Sequence, residues 1–229
     1  MTISILAFDE KTGAYGGAAA TGSLCVGGWV LRGDAESGLS ASQGSLPSTL
    51  WGTDVVTLMK AGASAKNAVQ AVTQADAGRD ERQLAALGPK GDIACFTGKA
   101  SILSAGSRAA RHVIVAGNLL ASEAVLDACL ESFCASDQAL DLRLIAALDA
   151  AAAVGGDSRG LLSAALLVVR RDAAPLSLRI DHSARPLSDL RDLHGKATSG
   201  PYADWALHVP TLDDPYRAEP YFEKTDQPV

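Results

Sequence analysis

The chain has 229 residues, the length of one domain or of two small ones. Its 20 basic and 26 acidic residues leave a net charge of −6, which argues against a nucleic-acid partner, since such proteins present a basic surface. Hydrophobic residues make up 48% of the chain, so a folded core is expected rather than disorder. There is no apolar run of the roughly 18 residues that a membrane span needs, and no signal segment. The sequence therefore predicts a cytoplasmic protein with no membrane partner.

Metal and cofactor motifs are absent from the sequence. The four histidines show no i, i+3 or i, i+4 pairing, and the four cysteines form no CxxC pair, so no metal site is predicted. There is also no P-loop, HExxH, GxSxG or strand-linked GxGxxG motif, and no cofactor is predicted. The cysteines are interpreted as free buried thiols.

Alternating and helical hydrophobic patterns divide the first half of the chain into strands followed by two helices. Strand-forming residues on either side of the turn 9–13 predict an opening hairpin. The spacing then changes to a helical one, with Ser64 predicted to cap the second helix. The predicted strands are 3–8, 14–20, 24–31 and 39–43, and the predicted helices are 47–62 and 65–75.

The second half repeats this order, with strands followed by a helix pair, two further strands and a last helix. Because strands and helices do not alternate one by one, the order indicates an α+β fold of two sheets packed face to face, with helix pairs outside. The predicted strands are 83–87, 93–96, 102–103, 112–116, 163–170 and 176–181, and the predicted helices are 122–133, 137–154 and 186–194.

The last part of the chain differs in character. Residues 1–195 are predicted to form one domain, whereas 196–229 are polar and rich in proline and aromatic residues, with no clear periodicity. This extension is expected to lie on the domain or on a partner subunit. A homodimer is the predicted assembly.

Thr2 is the candidate nucleophile. Methionine is removed preferentially from chains whose second residue is small, which would leave Thr2 with a free α-amine. That amine titrates near pH 7.7–8 and can accept the proton of the threonine's own hydroxyl. One residue would then supply both nucleophile and base at the start of a strand. A Met-Thr start is also common among inert proteins, so the dipeptide alone states no geometry.

Several short motifs, in order, resemble a bacterial family catalogued as domain of unknown function 1028. The resemblance runs from residue 2 to about His194, and the element order resembles that of the N-terminal nucleophile (Ntn) hydrolases. It implies a four-layer αββα sandwich of two mainly antiparallel sheets flanked by helix pairs, and an amidohydrolase site for a small amide or peptide-like substrate. The motifs are TISILAFD at 2–9, CVG at 25–27, ASQ at 41–43, ACFTG at 94–98, AGN at 116–118, GGDSRG at 155–160, SAAL at 163–166, RIDH at 179–182 and LSDLR at 187–191.

The resemblance also implies roles for particular residues. Backbone N–H groups around Gly44, at the start of the first helix, would form an oxyanion hole together with the Asn118 amide. Asp157 would orient the amine of Thr2, and Arg159 would hold a substrate carboxylate. Structural readings stay open beside these: Gly44 as a turn, Asn118 as a helix-entry residue, and Asp157 as a cap that pairs with Arg159. Ser42 and Gln43 complete the predicted oxyanion and substrate-binding group.

The chain departs from the superfamily pattern where an activating charge is expected. Residues 18–21 read AAAT where many of these enzymes have an aspartate, and Gly22 follows Thr21 where the family often has a basic residue. Arg32 is the nearest cation where a lysine is expected. These departures favour an alternative, a catalytically inactive αββα module that binds a small ligand or assembles with a partner.

Overall fold

A computed structural model describes residues 2–101, 104–155 and 160–218. In these residues the protein is a mixed α+β fold with two antiparallel sheets and seven helices, which confirms the predicted fold class at that level. The strands are β1 (Thr2–Asp9), β2 (Ala14–Thr21), β3 (Leu31–Asp34), β4 (Gly38–Gly44), β5 (Arg82–Leu87), β6 (Ile93–Thr97), β7 (Ser104–Ala110), β8 (Val113–Leu120), β9 (Ser163–Val169) and β10 (Leu176–Ile180).

The larger sheet has six strands in the order β10-β9-β2-β1-β8-β7, and the smaller has four in the order β3-β4-β5-β6. Strand β1 therefore lies in the middle of its sheet and is hydrogen-bonded on both sides. Its first residue, Thr2, lies opposite Thr21 of β2 and Asn118 of β8. This register places the candidate nucleophile between two other strands and not at a free sheet edge.

The helices are α1 (Val26–Trp29), α2 (Trp51–Lys60), α3 (Ala65–Gln74), α4 (Ala124–Ala135), α5 (Leu140–Ala153), α6 (Pro186–Ala197) and α7 (Gly200–Ala206). Five of these helices pack in two groups, one on each sheet. Helices α2 and α3 contact β4, β5 and β6, whereas α4, α5 and α6 contact the six-stranded sheet. Ser64 caps α3 as predicted, because its hydroxyl accepts the N–H of Asn67 at 3.3 Å.

Three clusters of buried apolar side chains hold these elements together. One lies between the two sheets and includes Leu6 and Ala85. A second joins the six-stranded sheet to α4, α5 and α6 and includes Ile5, and a third joins the four-stranded sheet to α2 and α3. Successive residues of a strand point to opposite faces, so Leu6 lies between the sheets while Ile5 faces the helices.

Small residues allow close contact between these elements. A Cβ added at Gly16 would lie 2.5 Å from Cδ1 of Leu144, so a larger residue at this point of β2 would require the leucine side chains of α5 to shift. The sequence places two glycines here for close approach of another backbone, but the approaching atoms at Gly16 belong to leucine side chains.

The predicted third strand is wrong for all but its last residue. Residues 24–31 were expected to be extended, whereas the chain forms the short helix α1 before β3 begins at Leu31. Cys25 adopts a left-handed conformation with φ of 60°, and its N–H donates to the carbonyl of Asp181. A Cβ at Gly27 would lie 2.8 Å from that of Ala165, so α1 packs directly on β9. This tertiary contact explains why a strand-like composition forms a helix here.

Strand β7 was not predicted. Its sequence, SAGSRAA, contains no branched or aromatic residue, so it carries no strand signal of its own. Pairing with β8 along the sheet edge supplies its hydrogen bonds. The predicted strand 102–103 lies outside the described residues.

The C-terminal segment folds back onto the domain as far as it is described. The backbone N–H of Asp213 donates to the carbonyl of Arg171 at 3.1 Å, and the two side chains form an ion pair at 2.9 Å. No helix in the described part of the chain is long and apolar enough to cross a membrane.

The four cysteines are all free, but they are not all buried. Cys129 is buried and Cys134 is exposed, so the prediction of buried thiols is wrong for Cys134. Burial raises the pKa of the Cys95 thiol to about 11 and raises that of Cys129 further, which keeps both as unreactive thiols. Among the described residues, no group of three or more histidine, cysteine, aspartate or glutamate side chains is placed to hold a metal ion.

Candidate functional site

A cavity of about 640 Å³ opens where β1 begins, at one end of the layer between the sheets. Its wall contains Thr2, the last residue of β2, and parts of the segments 23–30 and 42–49, together with Arg82. Four of the predicted site residues meet here, because Ser42, Gln43 and Gly44 line the same cavity as Thr2. They reach it from different sheets, so it is the packing of the two sheets that brings them together.

The hydroxyl of Thr2 is held in the cavity wall by the alternation of β1. Leu6 lies between the sheets and Ile3 and Ile5 lie on the opposite face, so the even-numbered side chains of this strand point between the sheets. The Oγ1 of Thr2 lies 3.2 Å from the Oγ1 of Thr21 in β2. With its backbone paired on both sides, Thr2 presents a positioned hydroxyl to the cavity.

Gly44, the last residue of β4, has a backbone conformation that requires glycine. Its φ is 138°, and an added Cβ would lie 2.5 Å from the carbonyl oxygen of Glu81. The N–H of Ser45 donates toward β5, to Glu81, while that of Ser42 donates away from β5, to Val30. Because these directions alternate along an antiparallel strand, the N–H of Gly44 points away from β5, past the beginning of β3.

The predicted oxyanion turn differs from the structure in two respects. The N–H of Ser45 was expected to be unpaired, but it donates to Glu81 at 3.0 Å, and that of Leu46 donates to the same oxygen at 3.3 Å. The segment is also not a helix N-terminus, since α2 begins only at Trp51. Within this turn, Gly44 lines the cavity and has an N–H that strand alternation directs away from β5.

Ser42 and Gln43 are both 2% exposed and support the wall from inside. The Ser42 hydroxyl donates to the carbonyl of Ser48 at 3.2 Å, and this hydrogen bond holds the loop that follows β4 against the strand. The side-chain Nε2 of Gln43 donates to Oε1 of Gln83 at 2.7 Å. Ser42 therefore shapes the cavity through the loop, and Gln43 joins it to a buried network.

Gln83 is the centre of that network, and no sequence motif indicated it. Its Nε2 donates to the carbonyls of Gly106 and Gly117, each at 3.0 Å, and to Oγ1 of Thr97 at 2.9 Å. Since carbonyl oxygens only accept, these contacts fix which way the amide faces. The one available signal was a glutamine within an apolar strand, and only the structure shows that it is in register with Gln43.

Asn118 lies behind the cavity and not on its lining. It is 2% exposed, and its Nδ2 approaches Oε1 of Gln83 at 3.4 Å. The structure also corrects its place in the fold: it was predicted between a strand and a helix, but β8 continues to Leu120.

Strand β8 is irregular directly after Asn118. Leu119 has a φ of 55°, and the pairing with β7 shifts register between Ser104 and Gly106. The shift leaves one extra residue in β8, which is a β-bulge, a feature that commonly redirects side chains beside active sites. The other two predicted site residues, Asp157 and Arg159, lie outside the described residues.

The charged group at the cavity is already paired. Arg82 lines the cavity, and its guanidinium donates to the carbonyl of Leu46 at 2.9 Å and forms an ion pair with Asp76. It also lies over the ring of Trp51, 5.7 Å from the centroid. Arg32, the cation noted in the sequence, donates instead to the backbone carbonyls of Leu31 and Gly28 and is not part of the lining.

The Asp76–Arg82 pair gives a pH-dependent prediction. Burial by itself raises the pKa of Asp76, but the N–H of Gly78 and the Arg82 guanidinium outweigh it and leave the pKa below its usual value. Because the pKa of Asp76 is lower in the folded protein, its carboxylate contributes its full stabilisation above the pKa of the unfolded chain, near 3.9. That stabilisation is lost as the pH falls through the lower pKa of the folded protein. The difference in unfolding free energy between wild type and Asp76→Asn should therefore shrink from pH 6 to pH 2.5 in urea titrations. A difference that grows on acidification would contradict this assignment.

The fold and site together define an α+β protein with a cavity at one end of two packed sheets. A family model described as "Family of unknown function (DUF1028)" matches residues 2–190, and the chain belongs to this family. It is similar to protein SPO2555 from Silicibacter pomeroyi, whose crystal structure is described with the same family model. The two share 51% sequence identity over 94% of this chain and 98% of the other, with a TM-score of 0.91. Comparison with curated proteins gave no match.

Proposed function

We propose that this protein is an Ntn-type amidohydrolase, with the four-layer αββα sandwich of that superfamily and with Thr2 as its nucleophile. The observation that carries the proposal is the position of the Thr2 hydroxyl, on a cavity wall at the start of the middle strand β1. The order of the buried clusters, with one between the sheets and one under each helix group, supports the sandwich. A small amide as substrate, a cytoplasmic location and a homodimer belong to the same proposal.

The proposed reaction uses the α-amine that removal of Met1 creates. The amine accepts the proton of the Thr2 hydroxyl while Oγ1 bonds to the amide carbon. The C–N bond then breaks, the departing amine takes the proton from the ammonium, and an ester to Thr2 remains. Water, deprotonated by the same α-amine, attacks the ester and releases a carboxylic acid, which regenerates Thr2.

The negative charge that develops on the carbonyl oxygen requires donors already in place. The Gly44 N–H is the proposed donor, because strand alternation directs it away from β5 and a side chain there would meet Glu81. Asn118 supports the site from behind through Gln83, and its amide would reach the oxyanion only after turning from that contact. Asp157 is proposed to orient the ammonium, and Arg159 to bind a substrate carboxylate.

One observation favours the inactive module as a second candidate. The expected activating lysine has no counterpart among the cavity-lining residues that are described, and the guanidinium of Arg82 is engaged by Asp76 and Leu46. Without a nearby positive charge, the α-amine itself must keep the hydroxyl reactive. An αββα protein with this cavity would then bind a small ligand without cleaving it.

The requirement for a free α-amine separates the two candidates. Two forms of the protein are compared, one beginning at Thr2 after proteolytic removal of a tag, the other with one extra glycine before Thr2. The 4-nitroanilides of acetic, hexanoic and phenylacetic acid serve as substrates, and intact mass verifies each N-terminus. We expect hydrolysis by the first form and a rate at least about a hundredfold lower for the second, since general-base assistance is worth roughly that much. Equal rates would rule out the mechanism.

A further inference from the structure

The mouth of the cavity is apolar although it faces solvent. Outside residues 200–218, six large apolar side chains are exposed in the described part of the chain. Three of them, Leu24, Trp29 and Leu46, line the cavity and are 55%, 52% and 64% exposed. Exposed single leucines are ordinary, but a cluster around a cavity marks a binding surface. We call Leu24, Trp29 and Leu46 the rim.

The inner end of the cavity has the opposite character. Thr2 is half-buried there, and Thr21, Ser42 and Gln43 are at most 3% exposed. No carboxylate is found among the described lining residues, and the one lining cation, Arg82, is paired with Asp76. A ligand that matches this arrangement has a polar group at the inner end, an apolar group at the rim and no positive charge.

We infer that the substrates are amides whose acyl group is apolar and either long or aromatic. The rim holds this acyl group while the amide carbonyl reaches Thr2. The inference rests on the proposed function for the amide and on the rim for the acyl group. The cavity has a volume of about 640 Å³, which is within the range of pockets that enclose small organic ligands. The acyl group would stay at the rim after the amine leaves, because the ester to Thr2 retains it.

Binding to a Thr2→Ala variant tests the inference without any need for cleavage. The probes are N-acyl glycinamides with acetyl, butanoyl, hexanoyl and octanoyl groups, measured by titration calorimetry. Each methylene transferred from water should increase affinity up to about fourfold, in line with the free energy of burying one methylene. Leu46→Ala and Trp29→Ala, each added to Thr2→Ala, should remove most of this increase. The matched control is Leu142→Ala, an equally simple truncation of a leucine on α5 that is 40% exposed and lies outside the cavity lining.

Three results would overturn the inference. Affinity could stay flat from acetyl to octanoyl, or the rim variants could behave like Leu142→Ala. In the third case, sedimentation would show that Trp29→Ala or Leu46→Ala converts a dimer to a monomer, which would make the rim an interface between copies of the chain. Because no probe has to be hydrolysed, a chain-length dependence would stand even if the amidase activity failed. Conversely, flat binding would leave hydrolysis of short amides intact.

Discussion

Replacement of Thr2 by valine is expected to lower kcat/KM for 4-nitroanilide hydrolysis by at least about a thousandfold, since losing a nucleophile typically removes most of the catalysis by the covalent route. Valine keeps the β-branched shape of threonine and removes the hydroxyl that lies 3.2 Å from Thr21. The measurement is the initial rate with the N-terminus verified by mass. Thr2→Ser is expected to retain activity within about tenfold, because it keeps a hydroxyl and an α-amine on the same residue.

The controls for Thr2 separate chemistry from folding. Thr2 lies at the end of β1, and Thr2→Val removes one hydrogen bond, so neither variant should change the free energy of unfolding by more than about 1.5 kcal/mol. Hydroxylamine added during turnover should yield the hydroxamate of the acyl group only with Thr2 or Ser at this position. Hydrolysis by Thr2→Val at more than a tenth of the wild-type rate would refute Thr2 as the nucleophile.

Substitution of Gln83 by leucine is expected to destabilise the protein by about 3–5 kcal/mol. The change removes the donor to the carbonyls of Gly106 and Gly117 and the acceptor for Gln43. Each buried polar group left without a partner costs roughly 1–3 kcal/mol, and Gln83 is fully buried. The free energy of unfolding in guanidinium chloride measures the effect.

Gln70 provides the matched control, since it is an exposed glutamine on α3. Gln70→Leu should stay within about 0.5 kcal/mol of wild type. A loss below about 1 kcal/mol for Gln83→Leu would mean that its contacts are replaced by water. The network would then play no part in holding the two sheets together.

The elements that were predicted correctly are those whose signals are local. The hairpin of β1 and β2 follows from two strand-forming runs around turn residues, and both strands form as expected. Pro186 begins α6, as its fixed φ favours at a first helical position. Gly155 ends α5 with a φ of 121°, which other residues rarely adopt. Each of these features depends on a few neighbouring residues, so the sequence alone is enough to indicate it.

Elements that depend on distant contacts were missed. The helix α1 forms where residues 24–31 looked extended, because Gly27 fits against Ala165 of β9. Gln83 looked like an ordinary strand residue, yet it joins both sheets through Gly106, Gly117 and Gln43. Each of these partners lies more than 20 positions along the chain from the residue that it contacts, so no local pattern could predict the contacts.

The sequence by itself determined the α+β class, the order of most strands and helices, and the candidate nucleophile at the start of the first strand. Only the tertiary structure decided which residues meet Thr2. The register of β1 sets Thr21 and Asn118 on either side of it, and packing of the sheets brings Gly44 and Gln43 to the same cavity. The tertiary structure also places Leu24, Trp29 and Leu46 together in one apolar rim. Register and sheet packing are set by the sum of many burial and hydrogen-bond terms across the whole domain, and no single segment carries them.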